Sequence, residues 1–387
     1  MNVNGTRPGP ALDADMAPEQ PHADARTHAL WARLRARDPS LRQTPPAADD
    51  MAWYLAALLG VSAWIAAGFL FGFTFTLLGD NSDEPVPVGV LGIFACVLGL
   101  ALMRSRHGRA FAEQFGIACS LVGQTLCSVA LYLALRDLLQ SGYQTASSLS
   151  WLGLAAISVA MAMAVPSRLH RFLCGVLTAG GIAASGYSIS IHHIGPTMLQ
   201  LLVAPLIAGT TLWLWLRTAC PGEPGARADR GLAPAAWAFS LVAMATLWIG
   251  TDDIARDCRP DCHPELMTAA FWLASLAVVT LLPLCVARLA RGSAARWRRV
   301  GEAAVFALLV VGAPGVAFGL MLVLLGFALH RPALLGVGLL GVAVYLVHYY
   351  YQLDVPLLQK SGWLLAGGAA LLLARMVWRR GTPEAVA

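Results

Sequence analysis

Apolar stretches long enough to cross a lipid bilayer recur along this chain from Trp53 to Trp378. A hydrocarbon core about 30 Å thick is crossed by roughly 20 helical residues, each of which rises about 1.5 Å. The chain is 57% hydrophobic and only 13% charged, whereas soluble domains are about 25% charged. The stretches therefore predict an all-α fold, a polytopic bundle of transmembrane helices.

We expect twelve spans, with eleven as the alternative. Their approximate ranges are 53–78, 86–103, 114–135, 149–165, 172–191, 197–216, 232–250, 267–287, 300–313, 315–329, 332–350 and 361–378. The transmembrane bundle thus occupies residues 51–380, and residues 381–387 form a short C-terminal tail. The short connectors leave no room for a separate folded soluble domain.

Basic residues are sorted between the connectors that join these spans. Every second connector is rich in arginine, and this set, with the C-terminal end, holds Arg104, Arg106, Arg109, Arg168, Arg171, Arg217, Arg227, Arg230, Arg288, Arg291, Arg296, Arg298, Arg299, Arg331, Arg375, Arg379 and Arg380. The connectors in between hold only Arg136, Arg256, Arg259 and Lys360. Because basic connectors stay in the cytoplasm, the pattern predicts that both termini are cytoplasmic.

The N-terminal tail, residues 1–50, has a different composition from the rest of the chain. It is rich in Pro, Ala, Asp and Arg and has no apolar run, so we expect most of it to be disordered. Within it, residues 27–38 form a possible short helix with Leu30, Trp31 and Leu34 on one side. An interfacial helix on anionic lipid and a solvated juxtamembrane arm both remain open.

The region from Ala303 to Leu329 is too long for one ordinary span and short for two. Its centre, Gly312-Ala313-Pro314-Gly315, breaks a helix because proline lacks an N–H and its ring clashes with the preceding turn. A single span would place the C-terminal arginines outside, so the charge pattern favours two short spans with a tight outer turn. A broken helix that lines a substrate site, as in transporters, is the alternative.

Two pairs of glycines have the spacing that lets helix backbones approach closely in a membrane. They are Gly68 with Gly72 in the first span and Gly315 with Gly319 after the break. We interpret both as packing signals.

The connector after the seventh span is the most polar on the outer side. Cys258 and Cys262 lie four residues apart there, with Asp257, Asp261 and His263 beside them. A disulfide is favoured in an oxidising compartment, free thiols are the alternative, and a metal site is disfavoured because structural zinc needs four ligands. The other cysteines lie in spans or on the inner side and are interpreted as packing residues or inert thiols.

The end of the eleventh span and the segment after it group tyrosines with two charged residues. It contains Tyr349, Tyr350, Tyr351, Asp354 and Lys360. Tyrosines at a span end commonly form an aromatic belt at the lipid headgroups, and Asp354 and Lys360 could pair across the turn. The alternative is that these five residues line an outward-facing site.

Three parts of the sequence resemble a known family. They are the C-terminal segment YYYQLDVPLLQKSG with its closing apolar helix, the stretch Pro314-Gly315…Leu325-Gly326-Phe327-Ala328…Leu334-Leu335-Gly336, and Leu30-Trp31-x-x-Leu34 before the first span. Together they resemble a bacterial domain-of-unknown-function family of multi-pass inner-membrane proteins. The resemblance implies the bacterial inner membrane as location, and a membrane-anchored partner with a GDYxxLxY motif. It implies no catalytic residue.

Three functions are compatible with the sequence. Ionisable residues are almost absent from the spans, whose interiors offer little beyond Gln124, Thr125 and Gln200, and this disfavours a proton-driven pump. A non-catalytic partner in an envelope complex is favoured, a transporter or flippase is the alternative, and a membrane-embedded transferase or hydrolase ranks third, with Asp252-Asp253 as its nearest candidate. We expect no cofactor, no metal and no nucleic-acid partner.

Overall fold

The computed structural model describes residues 53–79, 83–104, 110–139, 143–165, 167–188, 196–219, 230–256, 264–291 and 295–352, together with residues 32, 33, 36 and 365. Most of the N-terminal tail, the Cys258/Cys262 segment, Asp354, Lys360, all of the predicted last span except residue 365 and the C-terminal tail lie outside the described residues. The predictions for those segments therefore stay predictions.

The described part of the chain is all α-helical and has no β-strand. Its eleven α-helices are α1 (Trp53–Leu78), α2 (Pro85–Arg104), α3 (Ala110–Leu139), α4 (Tyr143–Ala164), α5 (Arg168–Ser188), α6 (Pro196–Ala219), α7 (Ala233–Arg256), α8 (Pro264–Leu289), α9 (Arg296–Leu309), α10 (Pro314–Ala328) and α11 (Pro332–Gln352). A 3₁₀ turn, Arg230–Leu232, leads into α7. The all-α prediction is confirmed for these residues.

Length and apolarity together qualify four segments of the described chain to cross a membrane. These are Pro85–Arg104, Phe111–Leu138, Thr145–Ala164 and Ala269–Leu289. Shorter apolar helical segments occur at Gly60–Thr74, Ala233–Trp248, Pro314–Ala328 and Pro332–His348. Several apolar helices of this kind are the expected content of a membrane protein.

The helices pack mainly as neighbours along the chain. The most extensive contacts join α2 to α3, α4 to α5 and α10 to α11, while α7 packs on both α5 and α6, and α8 packs on α6, α9 and α10. The larger apolar core lies among α5 to α11 and is centred on Trp215, Phe318, Met321 and Leu322. A smaller core lies where α2 and α3 meet, around Val88, Ala95 and Cys119.

Glycines allow α2 and α3 to come unusually close. A Cβ atom added to Gly99 would lie 2.6 Å from the Gly116 carbonyl oxygen and 2.7 Å from the Ser120 backbone nitrogen. Gly92 and Gly123 are equally tight, against Cys127 and Cys96 respectively. Small residues in this position let two helix backbones touch, which is the main source of helix packing in a membrane.

The predicted break between residues 303 and 329 is present. Helix α9 ends at Leu309 and α10 begins at Pro314, the position at which proline costs no hydrogen bond. The two helices are 14 and 15 residues long. Helix α9 packs on α8, whereas α10 packs on α7, α8 and α11. The region is thus two helices and not one.

A tight turn reverses the chain between α10 and α11. The Arg331 N–H donates to the Gly326 carbonyl at 2.8 Å and the His330 N–H to the Phe327 carbonyl at 3.2 Å. His330 has a φ of 53°, so it occupies the left-handed position that glycine usually takes after a helix. Gly315, Gly319 and Gly326 of α10 then face Tyr345, Val342 and Leu335 of α11, which defines an antiparallel hairpin.

Candidate functional site

Two rows of polar side chains face each other in the first half of the bundle. Ser120, Gln124 and Ser128 are four residues apart on α3, and His170, Cys174 and Thr178 are four residues apart on α5. Side chains at this spacing lie on one face of a helix. All six are buried, so polar groups concentrate on the faces that α3 and α5 bury.

Gln124 is the centre of a hydrogen-bond network that joins three helices. Its side-chain nitrogen donates to Ser120 Oγ at 3.1 Å, and its side-chain oxygen accepts from Ser158 Oγ of α4 at 2.7 Å. Ser120 Oγ also lies 3.0 Å from Nε2 of His170 on α5. Gln124, Ser120, Ser158 and His170 all have 0% exposure. The network satisfies polar groups that would be costly if buried alone.

Cys174 closes the network on α5. Its Sγ lies 3.6 Å from the Gln124 side-chain nitrogen and 3.5 Å from Nε2 of His170. Two further thiols are close by on the α2/α3 contact, where Cys96 Sγ lies 3.8 Å from the Ser120 carbonyl oxygen and interacts with the Cys127 thiol. The five described cysteines, 96, 119, 127, 174 and 285, are all free thiols.

Serine hydroxyls continue the polar contacts along α4. Ser128 Oγ of α3 donates to the Ser150 carbonyl at 2.8 Å, and Ser148 Oγ donates to the Ser185 carbonyl of α5 at 3.1 Å. Ser147 Oγ donates to Ser188 Oγ at 3.2 Å. We call these buried and partly buried polar side chains the polar column. They are Ser120, Gln124 and Ser128 on α3, Ser147, Ser148 and Ser158 on α4, and His170, Cys174, Thr178 and Ser188 on α5. The polar column cross-links α3, α4 and α5 over most of their common length.

The chemistry of the polar column is that of neutral hydrogen bonding. His170 and Cys174 are the two residues in it that could ligate a metal, and among the described residues no group of three His, Cys, Asp or Glu side chains is placed to hold one. The column contains no carboxylate side chain. The arrangement is suited to holding three helices in register.

Arginines gather at one end of the bundle. The Arg171 Nε donates to the Ala162 and Val165 carbonyls at 3.2 and 3.0 Å, and an Arg104 terminal nitrogen donates to the Ala164 carbonyl at 3.3 Å. These side chains cap the end of α4, where free carbonyls and the helix dipole favour cations. The guanidinium of Arg331 lies 5.2 Å from the Trp215 ring near the end of α6.

We call this region the arginine end. Its basic side chains come from the connectors α2/α3, α4/α5 and α10/α11. All three connectors belong to the arginine-rich set in the sequence.

Of the residues predicted to form sites, the structure describes only some. Gly312 and Pro314 lie at the break between α9 and α10, and Gly315 packs against the Tyr345 ring. Tyr349, Tyr350 and Tyr351 belong to the last turns of α11. Asp354, Lys360, Cys258 and Cys262 lie outside the described residues, so the site and the disulfide proposed for them stay predictions.

His170 is the central residue that the sequence analysis missed. It lies between Arg168 and Arg171 and therefore looks like one more solvated residue of a basic connector. The overlooked signal was the spacing of four that links His170 to Cys174 and Thr178, matched by Ser120, Gln124 and Ser128 on α3. Gln124 was noted, but alone it gave no reason to expect a network.

The comparisons with known proteins give one result. No curated protein and no solved structure matches the chain. A family model described as Domain of unknown function (DUF4401) matches residues 52–380. This match covers the whole helical region described above, and the chain therefore belongs to the DUF4401 family.

Proposed function

We propose that this protein is a twelve-span component of the bacterial inner membrane with both termini in the cytoplasm. The arginine end supports the orientation, because basic side chains of three connectors collect there and basic connectors face the cytoplasm. The turn that follows helix α10 contains Arg331, so the C-terminus of α10 lies at the arginine end. The α9/α10 pair would therefore leave and return to the cytoplasmic side.

A fusion to the full-length chain tests the number of spans. With twelve spans, green fluorescent protein joined after Ala387 is expected to fluoresce and alkaline phosphatase at the same point to be inactive. If the chain has eleven spans, the C-terminus lies outside, so the fluorescent protein should be dark and the phosphatase active. The same reporters placed before Met1 are the control and should report the cytoplasm in either case.

We further propose that the protein is a non-catalytic partner in an envelope complex, and that α1 is the helix that binds the partner. Gly68 and Gly72 are exposed, and a Cβ atom added to either would meet no atom of the described residues within 4 Å. In contrast, side chains of α11 occupy the space beside Gly315 and Gly319. A pair of glycines with this spacing on an open helix face is suited to close contact with another membrane helix.

Large apolar side chains flank the open glycine pair. Phe69 is 76% exposed and Phe73 is 63% exposed, and Ile65 is also largely uncovered. A helix that lies in the groove over Gly68 and Gly72 would pack between such side chains. The partner that fits is a single membrane-spanning helix, and the resemblance suggests one from a membrane-anchored protein with a GDYxxLxY motif.

Replacing both glycines by isoleucine is expected to abolish capture of the partner. The Cβ branches would fill the groove and hold the partner backbone away, so crosslinked partner recovered from cell membranes should fall about 10-fold, which corresponds to about 1.4 kcal/mol. Gly336→Ile is the matched control, because Gly336 is also helical, exposed and open.

Two outcomes would count against this partner surface. Equal capture by the double variant and wild type would show that α1 is not the binding helix. If only a second, differently tagged copy of the same chain were captured, the surface on α1 would be a homodimer interface and not a site for another protein.

A further inference from the structure

A cavity of about 560 Å³ opens at the arginine end. Helix α5 contributes Arg168, Leu169 and Phe172 to its wall, α7 contributes Pro234 and Trp237, and the α10/α11 turn contributes Arg331. The polar column does not line it. The cavity therefore combines two cationic side chains with an apolar and aromatic wall.

The two arginines have no ionic partner in the described part of the chain. The ion pairs found there are Arg136 with Asp137 and Arg298 with Glu302, and neither involves the cavity. Two positive charges on one cavity repel each other unless an anion lies between them. The cavity is thus electrostatically suited to a negatively charged group.

Arg331 is held in place before any ligand binds. Its guanidinium stacks 5.2 Å from the Trp215 ring, whose Nε1 donates to Ser240 Oγ at 3.0 Å. Trp237 contacts the same indole edge to face, with ring centroids 5.4 Å apart. A cation fixed by an aromatic pair loses little conformational freedom on binding.

The backbone adds to the positive potential. Helix α5 begins at Arg168, α7 at Ala233 and α11 at Pro332, so three helix N-termini meet at the rim. Each carries a partial positive charge that favours phosphate. These termini strengthen a site whose identity rests on the cavity and its two arginines.

We propose that this cavity binds the phosphate headgroup of an anionic phospholipid. Arg168 and Arg331 contact the phosphate, and Leu169, Phe172 and Trp237 cover the first part of the acyl chains. Leu169 is 41% exposed, so part of its apolar surface is available to contact an acyl chain beside the headgroup. Basic pockets between membrane helices bind such headgroups. This proposal is independent of the partner surface on α1.

Lipid binding to the purified protein in mild detergent tests the proposal. Wild type is titrated with phosphatidylglycerol, phosphatidylethanolamine and inorganic phosphate in separate experiments. We expect saturable binding of phosphatidylglycerol, at least 10-fold weaker binding of the zwitterionic lipid, and no competition by millimolar phosphate. Effective competition by phosphate would make this a free-anion site and overturn the lipid assignment.

Paired variants separate the cavity from general charge. Arg168→Gln/Arg331→Gln should weaken binding of phosphatidylglycerol about 30-fold, at roughly fivefold for each basic residue. Arg217→Gln/Arg298→Gln removes the same charge from arginines that do not line the cavity and should leave the affinity within about twofold. Equal losses in the two double variants would overturn the proposal.

A photoreactive lipid maps the site without any substitution. Phosphatidylglycerol with a photoactivatable group near the top of one acyl chain is expected to label the first turns of α5 and α7 in wild type. Labelling spread evenly over the apolar helices would overturn the proposal. This measurement stands even if the glutamine variants fail to fold.

Discussion

Gly99→Leu is expected to cause the largest loss of stability of any single substitution considered for this protein. The new side chain would meet the Gly116 carbonyl and the Ser120 backbone nitrogen, neither of which can rotate away. Helices α2 and α3 would have to separate, and Ser120 would move with them. Overpacking costs about 1–3 kcal/mol and occasionally more, and we expect the upper end here because both contacts are with backbone atoms. The measurement is the thermal unfolding midpoint of the purified protein in detergent.

A glycine in open space controls for the change in side chain. A Cβ atom on Gly180 in α5 would meet nothing within 4 Å, so Gly180→Leu should change the free energy of unfolding by less than about 0.5 kcal/mol. A similar small effect for both variants would contradict the close contact between α2 and α3. A large loss for Gly99→Leu alone would support it.

Gln124→Leu is expected to destabilise the contact between α3, α4 and α5 by about 2 kcal/mol. It removes the acceptor for Ser158 Oγ and the donor to Ser120 Oγ, while the volume changes little. A buried polar group left without its partner costs about 1–3 kcal/mol, although hydrogen bonds between membrane helices average somewhat less. Thermal unfolding in detergent measures the difference.

Thr125→Val on the same helix is the matched control. Thr125 is exposed and its hydroxyl donates only to the Val122 carbonyl of its own helix, at 2.8 Å. The substitution should therefore cost less than about 0.5 kcal/mol. The double variant Gln124→Leu/Ser158→Ala should be scarcely less stable than Gln124→Leu, because Ser158 has already lost its partner. Strictly additive losses would show that the two side chains do not interact.

The positions of helices could be predicted from the sequence where a long apolar run or a proline marks their ends. The first span was predicted as 53–78 and is the helix Trp53–Leu78, and the predicted 315–329 is the helix Pro314–Ala328. The fourth span was predicted to begin at residue 149, but α4 begins at Tyr143. Its first turns contain Ser147 and Ser148, which look like connector residues until α5 supplies their hydrogen-bond partners.

The spacing of the two glycine pairs does not predict which pair packs against another helix of the chain. Gly68/Gly72 and Gly315/Gly319 have the same spacing in the sequence. The second pair is covered by Val342 and Tyr345 of α11, whereas no described residue covers the first. Which pair is covered depends on the helix that the fold places opposite it, and the spacing of the glycines does not say which helix that is.

The sequence alone determined that this chain is a bundle of apolar helices and that its arginines fall in alternate connectors. It also determined that the helical run is interrupted near Pro314. These properties follow from the length of apolar runs, the chemistry of proline and the placement of charge, all of which are local. Only the tertiary structure brought His170 to Ser120, Gln124 and Ser158, and placed Arg168 and Arg331 on one cavity. Hydrogen bonding and electrostatics depend on distance in space, and the fold sets those distances for residues far apart in the chain.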